Sequence, residues 1–282
     1  MTLLDGKLVS AQVLSGLKGR VNALRVKGIM PKLVAFNAGD HKPSKVYLAK
    51  KEKKAKEIGI DFELIDFPIG TTADTIIEDI KRINNSDASG IIFQLPLPDY
   101  LKGDTDKILD TIQPEKDVDL LTAENRQRLS KGEPRFVPPT AGAVMKILDV
   151  YNIDLARQKI ILIGRGELVG KPLGVLLKMR DLEFTIIHRG TENVDEAIRA
   201  GTLIITAAGR PGLIHKGNIS KGVIIVDPGT AESEGRVVGD VNPNVVEVAS
   251  FLTPVPGGVG PVTVSMLLSN VVEAAERGSG LT

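Results

Sequence analysis

Short apolar runs along the chain alternate with longer segments whose apolar residues recur at helical spacing. Residues 10–28 read as an amphipathic helix, and 32–37 as a buried strand bounded by Pro31 and Gly39. A lysine-rich helix is predicted over 42–58, closed by Gly59. A strand over 61–67 and a helix over 73–84, capped by Asn85 and Ser86, follow. The next strand, 90–94, is stopped by Leu95-Pro96-Leu97-Pro98. Elements alternating in this rhythm predict βαβ units around a parallel sheet covered on both faces. This first α/β unit closes near Asp119.

A polar stretch over 122–139, containing Lys131-Gly132-Glu133-Pro134, reads as a linker, and 141–151 as a helix. A second series of strands is predicted at 159–163, 183–188, 202–207 and 222–227, with helices between them. Val264, Leu267, Leu268, Val271, Val272 and Ala275 share helical spacing, so 263–276 reads as a closing helix. The expected division is a first domain over 1–121, completed by a C-terminal helix over 263–282, and a second over 138–262.

Composition narrows the chemistry. The 282 residues are 42% hydrophobic, enough for real cores. Lys and Arg number 36 against 35 Asp and Glu, a formal charge of +1, so no global field draws the chain to nucleic acid or an anionic membrane. Phosphate recognition must be local. Without cysteine there is no disulfide or thiolate chemistry, and His41, His188 and His215 lack metal-ligand spacing. The N-terminus has no apolar signal core, and no apolar run approaches the roughly 18 residues of a membrane span. A cytoplasmic protein with no metal, membrane or nucleic-acid partner is expected.

The apolar run Ile160-Ile161-Leu162-Ile163 leads into Gly164-Arg165-Gly166-Glu167-Leu168-Val169-Gly170 and then a helix beginning near Pro172. Glycines in that context let backbone N–H groups approach a diphosphate at a helix N-terminus. The spacing is one residue longer than the usual dinucleotide fingerprint and is a weak signal alone, a structural tight turn being the alternative. The next strand ends in His188-Arg189-Gly190 with no carboxylate, where NAD-preferring Rossmann domains place an acid on the ribose 2′-hydroxyl. Arg189 and Arg165 suit a 2′-phosphate, since guanidinium forks match phosphate oxygens; the alternative for Arg189 is a solvated strand end.

Tyr47, Lys51 and Lys54 fall at i, i+4 and i+7, on one helix face that either lines a pocket or is simply solvated. Crowded, partly buried ammonium groups make one lysine easier to deprotonate, and a neutral amine can act as a base. Gln94 sits where a parallel strand ends, the edge at which open α/β sheets place ligands. Asp117 and Asp119 alternate, so only one need reach a ligand. The segment Thr253-Pro-Val-Pro-Gly-Gly-Val-Gly-Pro261 reads as a rigid connector that also admits a flat ligand close to backbone.

In order along the chain, Tyr47-x-x-x-Lys51, Gln94-Leu-Pro-Leu-Pro98, Lys116-Asp-Val-Asp119, Gly164-Arg165 with Val169-Gly170, Gly239-Asp240-Val241 and the 253–261 segment followed by Thr263 resemble the bifunctional methylenetetrahydrofolate dehydrogenase/methenyltetrahydrofolate cyclohydrolase family. The resemblance covers nearly the whole chain. It implies an α/β protein of two domains, an N-terminal catalytic domain and a Rossmann-type parallel-sheet domain, with a cleft between them. It implies oxidation of 5,10-methylenetetrahydrofolate by NADP and hydrolysis of the methenyl product to 10-formyltetrahydrofolate, in a protein that is commonly a homodimer. Carried over by position, Lys51 is the catalytic lysine, held by Gln94. Tyr47 stacks on the aminobenzoyl ring, and Asp119 accepts from the pterin N–H groups. Leu95, Pro96 and the loop Pro256, Gly257, Gly258 and Val259 contact folate. Gly164, Arg165, Gly166, Gly170, His188, Arg189 and Thr230 contact the cofactor.

Several positions depart from the family pattern. Gly166 and Arg189 stand where serine is usual, Leu120 follows Asp119 where glycine is usual, Pro139 and Ala141 flank Thr140 in place of cysteine and proline, and Pro228 replaces a branched apolar residue. Two competing readings are a dehydrogenase of another substrate class, such as a shikimate- or amino-acid-type enzyme, and a folate-binding protein without turnover.

Overall fold

The computed structural model describes residues 1–229, 231–233 and 236–280. Its elements run β1 (Thr2–Leu3), α1 (Gly6–Val26), β2 (Lys32–Ala38), α2 (Lys42–Ile58), β3 (Asp61–Phe67), α3 (Ala73–Asn84), β4 (Gly90–Phe93), α4 (Thr105–Leu109) and α5 (Ala123–Ser130). Then follow α6 (Pro139–Val150), β5 (Ile160–Ile163), α7 (Gly170–Lys178), β6 (Phe184–Ile187), α8 (Val194–Arg199), β7 (Leu203–Thr206), β8 (Ile224–Val226), β9 (Ala231–Ser233), β10 (Arg236–Val238), β11 (Phe251–Leu252) and α9 (Val259–Gly278). Two α/β units result: Gln12–Val137 with Val264–Thr282, and Met1–Ala11 with Pro138–Thr263.

The first unit is built on a parallel sheet of order β3-β2-β4. Its middle strand is buried from Leu33 to Ala38, as a strand covered on both faces must be. Phe36 stacks at 5.9 Å on both Phe67 and Phe93, and Ile76, Ile80 and Ile83 of α3 pack into the same core. Each such buried side chain is worth about 1.5–3 kcal/mol. Residues 264–280 close this unit: Leu268, Val271 and Val272 are buried, and the Asn270 amide donates to the carbonyls of Val118 and Val137, both at 2.8 Å.

The second unit carries a six-stranded parallel sheet, β1-β11-β8-β7-β5-β6. Strands β5, β7 and β8 are buried throughout, whereas β6 at the edge exposes Thr185 and Ile186. Connections leave β5 toward β6 on one side and return to β7 on the other. The carboxyl end of β5 is therefore the topological switch point, where doubly wound sheets receive ligands.

Two features differ from the pattern-based reading. Residues 1–11 group with the second unit, because Thr2 and Leu3 pair in parallel with Phe251 and Leu252. The stretch read as a linker contains α5, whose N-cap Thr122 accepts from the Asn125 N–H and whose buried residues are Asn125 and Leu129. A helix with so little apolar surface leaves almost no periodic signal.

Candidate active site

Helix α2 turns Ser44, Leu48, Ala55 and Ile58 into the core and ends in a left-handed Gly59. That rotation leaves Lys50, Lys53 and Lys56 exposed while Tyr47, Lys51 and Lys54 are half-buried. Lys54 is neutralised by Glu57 at 2.7 Å, and the Lys50 ammonium sits 5.3 Å from the centre of the Tyr47 ring. Lys51 reaches the end of β4 instead, where its Nζ donates to Gln94 Oε1 at 3.1 Å. Gln94 is anchored twice, its backbone N–H donating to the Phe36 carbonyl and its side-chain amide to the Leu95 carbonyl, both at 2.8 Å. Leu95 packs on the core cluster, Pro96 is exposed, and the peptide joining them is cis.

The structure divides the two acids of the 116–119 motif. Asp117 is fully buried and committed to the fold, accepting from the Leu121 and Thr122 N–H groups, the Thr122 hydroxyl and the Asn125 amide. Asp119 faces Lys51 electrostatically. Burial pushes the Lys51 ammonium below its ordinary range, opposed by the charge of Asp119. Burial likewise pushes the Asp119 carboxyl up, opposed by Lys51 and reinforced by Asp117. Water-poor surroundings thus disfavour both charges, and a lysine of this kind supplies a neutral amine more readily than a solvated one. Leu120 has a φ of 56°, the left-handed region that favours glycine, and its side chain is only 6% exposed. Its burial offsets the backbone cost.

The remaining predicted folate contacts, Pro256, Gly257, Gly258 and Val259, belong to the other unit. Gly257 adopts a φ of 110°, and a Cβ on Gly258 would approach the Pro254 carbonyl oxygen to 2.6 Å. A Cβ on Gly6 would collide with the Gly258 carbonyl, so this loop packs backbone to backbone.

At the end of β5, Gly164 has a φ of 103°, and a Cβ there would lie 2.5 Å from the Ala207 carbonyl oxygen. A Cβ on Gly170 would collide with the Gly164 carbonyl, so helix α7 also starts hard against this turn. Around Gly166 the space is open: a Cβ would meet nothing within 4 Å. Among the described residues, the backbone N–H groups of residues 165–169 find no acceptor. Five free donors ahead of a helix N-terminus, beside an open glycine, fit a diphosphate group.

Gly164 N–H donates to the Ile187 carbonyl at 2.9 Å, which sets Arg165 and Arg189 at adjacent strand ends. Both arginines are exposed, and neither has an ion-pair partner among the described residues. His188 is half-buried and held by its surroundings: its N–H donates to Thr191 Oγ1 at 2.9 Å, and its ring Nδ1 accepts from the Gly190 N–H at 3.1 Å. Thr230 lies outside the described residues. Among the described residues no cluster could hold a metal ion, and no helix is long and apolar enough to cross a membrane. Thr206, Asp227 and Asp240 form a further buried polar group at the strand ends of this unit. Only Asp240 lies in a motif visible in the sequence.

Two family models match the chain: the catalytic domain of tetrahydrofolate dehydrogenase/cyclohydrolase over residues 4–119, and its NAD(P)-binding domain over 138–279. The bifunctional protein FolD of Campylobacter curvus is 40% identical over 280 residues, covering 98% of this chain and 96% of its own. The crystal structure of the bifunctional FolD dehydrogenase/cyclohydrolase of Campylobacter jejuni is 37% identical with a TM-score of 0.93, covering 99% of both chains. The Trypanosoma brucei enzyme, solved with NADP and an inhibitor, is 34% identical with a TM-score of 0.91, covering 99% of this chain and 98% of its own.

Proposed function

Because the chain belongs to the tetrahydrofolate dehydrogenase/cyclohydrolase family and carries that family's two activities on methylenetetrahydrofolate, we propose that its nicotinamide cofactor is NADP and that Lys51 is the base of the hydrolytic step. The observation that carries the second assignment is the half-buried Lys51 amine, 3.1 Å from Gln94 Oε1 and depressed by burial. Oxidation of the methylene bridge leaves a cationic amidinium carbon, already electrophilic, so hydrolysis needs chiefly a positioned and deprotonated water. Lys51 takes that proton as a neutral amine while Gln94 fixes its direction. Asp119 accepts from the pterin N–H groups, and Tyr47 stacks on the aminobenzoyl ring. Leu95 and Pro96 contact the folate, and Pro256, Gly257, Gly258 and Val259 are carried over as folate contacts by the family resemblance alone.

When bound, the dinucleotide supplies the hydride-accepting ring. The free N–H groups at 165–169 hold its diphosphate, with Gly164 and Gly170 shaping the turn, and the family resemblance carries Thr230 over as a cofactor contact. Arg165 and Arg189 take the 2′-phosphate, with His188 fixing the turn that carries Arg189. Support for NADP over NAD is the pair of exposed arginines at adjacent strand ends, without ion-pair partners among the described residues, and the lack of a carboxylate ending β6. The domain limits proposed are 1–121, completed by 263–282, and 138–262, with 1–11 paired into the second sheet. A cytoplasmic homodimer joined through the exposed edge strand β6 completes the proposal.

The test is a paired assay on the purified chain: NADP and NAD reduction with methylenetetrahydrofolate, and methenyltetrahydrofolate hydrolysis above the buffer rate. A higher kcat/KM with NADP and enzyme-dependent hydrolysis are expected. Preference for NAD, or no reduction of NADP, contradicts the cofactor assignment.

A further inference from the structure

Two carboxyl groups that no step above uses are buried at the ends of β7 and β8. Asp240 is fully buried and accepts four hydrogen bonds. Its Oδ2 takes the Thr206 hydroxyl at 2.7 Å, the Ala208 N–H at 2.8 Å and the Gly209 N–H at 3.2 Å, and its Oδ1 takes the Arg210 N–H at 2.5 Å. One side chain therefore gathers the whole turn that leaves β7. Ala207, at the start of that turn, is the residue whose carbonyl lies against Gly164.

Asp227, only 2% exposed, stands next to it. Its carboxyl accepts from the Gly229 N–H at 2.9 Å and the Val241 N–H at 3.1 Å, clasping the two ends of the 229–241 excursion. Glycines at 229 and 239 make this possible. A Cβ on Gly229 would lie 2.8 Å from Asp227 Oδ1 and 3.1 Å from Asp240 Oδ1, and one on Gly239 would collide with Asp227 Oδ2. Burial and the neighbouring Asp240 push the Asp227 carboxyl up to about 7.

We propose that Asp240, backed by Asp227, is a positioning residue for dinucleotide binding, holding the 207–210 turn against Gly164 and thereby setting the cradle for the diphosphate. What separates Asp240 from the purely structural Asp117 is its place: the three successive N–H groups it holds belong to the turn whose Ala207 carbonyl lies against Gly164. The inference rests on the dinucleotide reading of that turn. Hydrolysis of the methenyl substrate consumes no dinucleotide, which separates a local effect from a global one.

Asp240→Asn and Thr206→Val are assayed beside the wild type for both activities, with the KM for NADP determined in each. The account expects Asp240→Asn to raise that KM about tenfold, equivalent to about 1.4 kcal/mol. Thr206→Val should raise it less, Thr206→Ser should restore it, and hydrolysis should stay near wild type in all three. Should Asp240→Asn fail to fold, the Thr206 pair decides alone. An unmoved KM, or parallel loss of both activities in Thr206→Val, overturns the proposal. A wild type that reduces neither NADP nor NAD overturns the dinucleotide reading and this inference with it, whereas an active wild type with unmoved variants overturns the inference alone.

Discussion

The lysine site and the glycine turn solve two recognition problems by opposite electrostatic means. At Lys51 the protein withdraws water from a cation and an acid, so burial depresses the amine and raises the Asp119 carboxyl while each resists the shift of the other. At Gly164–Gly170 and the adjoining end of β6 it offers fixed backbone donors and two exposed arginines that have no ion-pair partner among the described residues. The first arrangement alters the reactivity of a side chain. The second offers donors and positive charge that suit an anion. On the proposed function, chemistry belongs on the first and cofactor choice on the second, and substitutions in the two regions should show different kinetic signatures.

The largest effect should come from Lys51→Ala, which removes the proposed base. Methenyl hydrolysis should fall by about 10²- to 10⁴-fold in kcat, with the KM for NADP little changed. A variant that retains hydrolysis would erase the contrast on the lysine side. Next in size is Gly164→Ala. Its Cβ meets the Ala207 carbonyl at 2.5 Å from a backbone already at φ 103°, at a cost of about 1–3 kcal/mol from the backbone alone. A lowered melting temperature and weakened binding of both NADP and NAD are expected, since the diphosphate is common to them.

Arg189→Ala should act more narrowly, raising the KM for NADP roughly tenfold, the equivalent of about 1.4 kcal/mol, while leaving that for NAD unchanged. Equal effects on the two cofactors would dissolve the 2′-phosphate clamp. The smallest expected change is a response to salt. Exposed arginines are screened within a Debye length of roughly 8–10 Å, so the KM for NADP should rise with ionic strength while hydrolysis at the water-poor lysine site stays nearly constant.

The two regions also differ in how much of them a reader of the bare sequence can find. Helices α2 and α3 and strand β3 follow the apolar pattern at both ends, because each has apolar residues to show and a stop after it, Gly59, Asn85 and Pro68 respectively. Strand β1 is invisible to that approach: two exposed residues gain their place only by pairing with residues 251–252. Helix α5 hides for a related reason, since its buried face is Asn125 and Leu129. Within the lysine site, the i, i+4 spacing marks the face of α2, but which lysine turns inward is decided by Leu48 and Ala55 entering the core. Alternation leaves Asp117 and Asp119 equivalent until the backbone N–H groups of residues 121 and 122 claim the first. The Asp227–Asp240 pair could not be assembled from sequence, because thirteen positions containing the antiparallel pair β9–β10 separate two acids that hydrogen bonds from Gly229 and Val241 bring together.

The most direct test of the central claim, that burial turns Lys51 into a neutral base, is the pH dependence of kcat for methenyl hydrolysis, corrected for the buffer reaction. The amine is active when deprotonated, so a depressed ammonium predicts a rate that rises with pH and has its midpoint below 10.5, the ordinary lysine value. The rising limb should vanish in Lys51→Ala. A wild-type midpoint at or above 10.5, or a limb that survives the substitution, would contradict the account.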